Sequence, residues 1–152
     1  MSQENVEVVR RATAEANERD VDRYLALCSE DIELQTPWTA VEGLYVGPDA
    51  IRRFFTDIHD TARDFHLNIE RLESIGSKAL ESIGSDRVLA FLRAHVSGRA
   101  SGITVGSESL SSGPRHAGIP TGNVYDLSDG KIRRIRIFVD RDEALEAVGL
   151  RE

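Results

Sequence analysis

The chain holds a single cysteine, Cys28, in 152 residues, so it can form no internal disulfide and has no cysteine pair for a metal. Its four histidines show no zinc-ligand spacing, and neither a phosphate loop nor a dinucleotide fingerprint appears. The expectation is therefore a protein without metal or cofactor. No apolar run approaches the roughly 20 residues of a bilayer span. The opening "MSQENVEVV" lacks the basic start and apolar core of a signal peptide. These two absences predict no membrane association and a cytoplasmic location. Cations are outnumbered, with a net charge of −7. Nucleic acid is excluded as a partner on that ground, because affinity for it comes largely from neutralised phosphates.

What is present is a charged, moderately apolar chain, 40% hydrophobic and 30% charged, of a length that suits one domain over residues 1–152. Val6, Val9, Ala12, Thr13 and Ala16 recur at helical spacing, and Val21, Tyr24, Leu25 and Cys28 make a second apolar face that Asp20 opens. Cys28 reads as a small buried hydrophobe. "DIELQTP" alternates as a short strand stopped by Pro37, and Ile51, Phe54, Phe55, Ile58 and Ala62 mark a third helix. Beyond residue 64 the period becomes two. "FHLNIERLESIG", "DRVLAFLRAHVSG", "SGITVGS", "GNVYDLSDG" and "KIRRIRIFVD" read as strands, with "SDGK" the clearest hairpin turn, and "RDEALEAVGL" reads as a closing helix. Helices first and a meandering antiparallel sheet second predict an α+β fold. Two stretches look added: the hexapeptide "LESIGS", at residues 72–77 and again at 80–85, reads as a lengthened hairpin, and the Ser/Gly-rich segment 98–122 reads as a loop.

This order, together with "RDVDRYLAL", "EGLYVGPDAIRRFF", "DGKIRRIRIF" and "VDRDEALEAVGL", resembles the SnoaL-like families of the nuclear transport factor 2-like superfamily, which also holds ketosteroid isomerase, limonene epoxide hydrolase and polyketide cyclase-like proteins. The resemblance implies a cystatin-like α+β barrel: a cone-shaped sheet wrapped around the N-terminal helices, open at one end over an apolar pocket. It also implies a small hydrophobic ligand or substrate and a homodimer. The ketosteroid isomerase positions for a general base, a pocket tyrosine and a protonated aspartate fall on Thr36, Ala12 and Asn123; a threonine cannot be that base and an alanine donates nothing, so steroid isomerase chemistry is not expected. The catalytic aspartate of the epoxide hydrolase pattern falls on Ile137, and its Arg-x-Asp pair is matched by Arg93-Ala94-His95.

The candidates that follow are Arg93, His95 and Asn123 as catalytic groups converging on one point. Histidine is the side-chain type suited to acid–base work at neutral pH, so His95 could act as acid or base, while Arg93 and Asn123 could stabilise a developing negative charge. Thr36, Trp38, Phe55, Phe91, Tyr125, Ile135, Ile137 and Val139 would contact substrate, with the last three closing the base of the pocket. Arg134, Arg136, Phe138 and Asp140 fall on the opposite face of their strand, outside the cone. Asp140, three residues before Glu143, reads as a helix cap rather than a catalytic acid. Phe138 between arginines predicts a homodimer through the outer sheet face. Two functions fit: a cofactor-independent isomerase, cyclase or hydrolase, or a binding or dimerisation module without catalysis.

Overall fold

The computed structural model describes residues 2–36, 44–75, 86–98 and 119–148. Helices α1 (Ser2–Asn17) and α2 (Val21–Ala26) precede strand β1 (Cys28–Gln35); β2 (Tyr45–Val46) and α3 (Pro48–Thr61) follow. Strands β3 (Ala62–Ile75), β4 (Asp86–Gly98), β5 (Ile119–Ser128) and β6 (Lys131–Phe138) come next, and α4 (Arg141–Ala147) closes the described chain. The expected strand "SGITVGS" and the second copy of "LESIGS" lie outside the described residues.

The strands form one curled, unclosed sheet in the order β2-β1-β6-β5-β4-β3. Pairing is antiparallel except between β1 and β6, which run parallel. That parallel pair corrects the expectation of a purely antiparallel sheet. The third helix also ends one residue earlier than its apolar period suggested, because Ala62 already pairs with Gly98. The "SDGK" turn forms as expected: Asp129 and Gly130 both have positive φ, 54° and 76°, the geometry of a two-residue hairpin turn that matches strand twist.

One face of the sheet is covered by α1, α2 and α3. Asn5, Val9, Ala12, Thr13 and Ala16 are buried along α1 at intervals of three or four residues, the stripe that a 3.6-residue period requires. Val9, Ala12 and Ala16 pack with Ile32, Leu34, Val88, Ala90, Leu92, Tyr125 and Ile135 into the main core. The side chain of Asn17 clamps α1 to β3. It donates to the Leu67 carbonyl at 2.9 Å and accepts from the Leu67 amide at 2.7 Å, satisfying backbone groups of β3, which is an edge strand among the described residues.

The other face carries α4. Ala144 packs with Leu89 and Val124, and Phe91, Phe138, Leu145 and Val148 surround them. Gly122 lets the helix approach this closely, since a Cβ there would lie 2.6 Å from that of Ala144. Arg141 ties the helix down by donating to the carbonyls of Leu92 at 2.9 Å and Thr121 at 3.3 Å and by stacking over the Phe91 ring. Phe138, from which a covering second copy was inferred, is therefore covered by this chain's own helix. Asp140 caps α4 as expected, accepting from the Asp142 amide at 2.9 Å. It takes the second amide of the helix, where a capping box would take the third.

Candidate functional site

Cross-strand register decides which candidates share a face. In the β4–β5 pair, Val88, Ala90 and Leu92 stand opposite Tyr125, Asn123 and Thr121, while Leu89, Phe91 and Arg93 stand opposite Val124, Gly122 and Pro120. Opposed residues project to the same side. Asn123 and Tyr125 therefore face the helices, and Phe91, Arg93 and His95 face away from them. The expected convergence of Arg93, His95 and Asn123 does not occur, and Phe91 belongs to the cluster under α4 rather than to the interior.

On the outer face Arg93 donates to Glu70 at 2.8 Å, and Glu70 also binds Arg141 at 2.6 Å. Hydrogen bonds from the two arginines hold the Glu70 carboxyl below its ordinary range. Nε2 of His95 lies 3.2 Å from Nδ2 of Asn68, whose Oδ1 lies 3.0 Å from Nε2 of His66. Further along the same face Asp126 binds Arg87 at 2.7 Å and stands within 4 Å of Arg134 and Arg136. Desolvation lowers the Arg136 guanidinium.

The inner face carries neutral polar groups. Asn123 is 6% exposed, with Ala90 across from it on one side and Ile137 on the other. Its Nδ2 donates to the Tyr125 hydroxyl at 3.3 Å, Tyr125 is hydrogen-bonded to Thr13, and Thr13 donates to the Val9 carbonyl at 3.0 Å. Among the described residues nothing pairs with Asn123 Oδ1. Tyr24 packs edge-on against Phe55, with ring centroids 4.8 Å apart. Burial raises both tyrosine hydroxyls and pushes the Cys28 thiol up to about 12, so all three are neutral at pH 7. Thr36 and Ile135 are buried on the same side, and Ile137 is half-buried there.

Val139 departs from expectation. It lies beyond the end of β6 and is 48% exposed, so it does not close the base of the cone. Trp38 lies outside the described residues. Sequence reasoning had placed Thr13 and Tyr24 in the core without a polar role; hydroxyls on otherwise apolar helical stripes were the available signal. The His59 ring lies between Phe55 and Phe65 and borders a shallow cleft with Tyr24, Glu15 and Arg19. Its Nε2 is buried without a partner among the described residues, and burial, helped by Arg19, lowers its pKa.

A curled sheet with helices on its concave side, enclosing a neutral polar row between apolar walls, defines an α+β protein of the cystatin-like class. The chain belongs to the SnoaL-like domain family, whose model matches residues 9–135. Comparison with curated protein sequences gives no match. Among solved structures, it is similar to an uncharacterised cystatin-fold protein from Novosphingobium aromaticivorans, with 17% identity, a TM-score of 0.64 and coverage of 88% of this chain and 97% of that one. A candidate polyketide cyclase from Xanthomonas campestris is 16% identical, at a TM-score of 0.59 over 97% of this chain and 98% of that one. The orange carotenoid protein of Anabaena, solved with canthaxanthin bound, is 22% identical at a TM-score of 0.63; the match covers 91% of this chain and 38% of that longer one. At these identities the likeness is one of fold.

Proposed function

We propose that the protein binds a small, mostly apolar molecule on the inner face of its sheet, beside Asn123. The observation that carries this reading is the amide oxygen of Asn123, buried on the inner face and without a partner among the described residues. A buried acceptor left open costs roughly 1–3 kcal/mol, and a ligand that fills it would recover that cost. The binding-module alternative is favoured over acid–base catalysis because the inner row holds phenols and a thiol with raised pKa values, while Arg93 and His95 lie on the other face, engaged with Glu70 and Asn68. Fluorescence titration of the whole protein with a naphthol should show saturable binding that His95→Gln leaves unchanged. Absence of saturable binding, or its loss in His95→Gln, would overturn the reading.

One observation favours catalysis as a second reading: His59 offers a neutral imidazole next to Tyr24 and the cleft. A turnover assay in which His59→Gln is inactive and His95→Gln active would select it. A homodimer through the outer face also belongs to the proposal. Because α4 covers Phe138, that interface would rest on the charged rows around Glu70 and Arg71. Sedimentation should then show a dimer that weakens as salt rises, and a monomer at low salt would remove it.

A further inference from the structure

We infer that the ligand of the inner face presents a hydrogen-bond donor, a hydroxyl on an apolar frame, to Asn123 Oδ1; this rests on the binding reading above. The Val9 carbonyl can only accept, so the Thr13 hydroxyl spends its single proton on it at 3.0 Å. Thr13 is in turn hydrogen-bonded to Tyr125. The amide nitrogen of Asn123 donates to the Tyr125 hydroxyl at 3.3 Å. This fixes which way the amide points. The Asn123 oxygen is turned away from the chain, is 94% buried with its residue, and has no partner among the described residues.

An acceptor so oriented repels a carbonyl or an oxyanion and welcomes a hydroxyl. At this position the resemblance to ketosteroid isomerase implied a donor for an oxyanion, so the polarity here is the reverse. The small Ala90 stands beside Asn123 on the neighbouring strand, and Ile137 on its other side is only half-buried. Flanks of this kind suit an aromatic or alicyclic alcohol. Thr13 and Tyr125 act as positioning residues, holding the amide in one orientation without being the ligand's acceptor.

The test uses a naphthol and its methyl ether, which differ in the donor alone, titrated into the whole protein by calorimetry. The naphthol should bind roughly tenfold more tightly than the ether, the value of one buried hydrogen bond. Tyr125→Phe breaks the chain and frees the amide to turn, so the preference should shrink while Asn123 is intact; Asn123→Leu should abolish it. Equal affinity of the two probes for the wild-type protein would overturn the donor inference, leave the binding reading standing, and mark the orphan oxygen as the seat of a buried water. Binding of neither probe would overturn both. A preference that survives in both variants would place the donor contact elsewhere and end the assignment to Asn123.

Discussion

The two faces of the sheet treat polar groups in opposite ways. On the outer face they are charges that answer one another: Asp126 with Arg87, Arg134 and Arg136, and Glu70 with Arg93 and Arg141. On the inner face they are neutral and linked in a row from Thr13 through Tyr125 to Asn123, whose amide oxygen has no partner among the described residues. Paired charges at a partly wet surface hold elements together, whereas a buried neutral group with unused capacity is a place where something else can bind. The difference teaches that residue type alone misleads here. The residues richest in chemistry, Arg93 and His95, sit on the outer face with Glu70 and Asn68, and a plain amide marks the proposed site.

The comparison can be broken from the outside first. Asp126→Ala should have the largest effect, about 3 kcal/mol, because the half-buried Arg87 and Arg136, with side chains 19% and 17% exposed, would lose their counter-charge; urea unfolding measures it. Gly122→Ala should cost about 2 kcal/mol by pushing α4 off the outer face, and naphthol affinity should be unchanged, since the inner row is untouched. Asp140→Ala removes the cap of α4 and should cost about 1 kcal/mol, again without effect on binding. The smallest effect belongs to Glu70. Its folded pKa is depressed, so its contribution is present above the ordinary carboxylate pKa and is lost as pH falls through the lower folded value. As the side chain is 37% exposed, the contribution is below about 1 kcal/mol. Glu70→Gln should flatten the acid limb of the stability curve slightly and leave the neutral region nearly unchanged.

Periodicity within each element was legible because burial imposes it locally. The α1 stripe, the alternation of Ile135 and Ile137 with Arg134 and Arg136, and the cap at Asp140 all follow from side-chain spacing and local hydrogen bonding. The SnoaL-like resemblance was legible for the same reason, since its motifs are turns, caps and core positions. Parity between strands was not. Within β4, alternation puts Leu89, Phe91, Arg93 and His95 together, yet nothing local says whether Asn123 on β5 joins them. For β5 and β6 the Asp129-Gly130 turn fixes the pairing of Ser128 with Lys131. Strands β4 and β5 are separated in the sequence by residues 99–118, so local spacing does not set their register, and a slip of one residue exchanges the faces. Thr13 and Tyr24 were missed because a hydroxyl on an apolar stripe looks like tolerated core until its partners are seen.

The central claim is that the inner row around Asn123 receives the ligand and the outer arginine and histidine rows do not. Amide and side-chain shifts followed by nuclear magnetic resonance during a naphthol titration test it most directly. The account predicts the largest shifts at the Asn123 side-chain amide, Tyr125, Thr13, Ile135 and Ile137, with His66, Arg93 and His95 nearly still. Shifts concentrated at His66, Arg93 and His95, with the Asn123 amide unmoved, would contradict it.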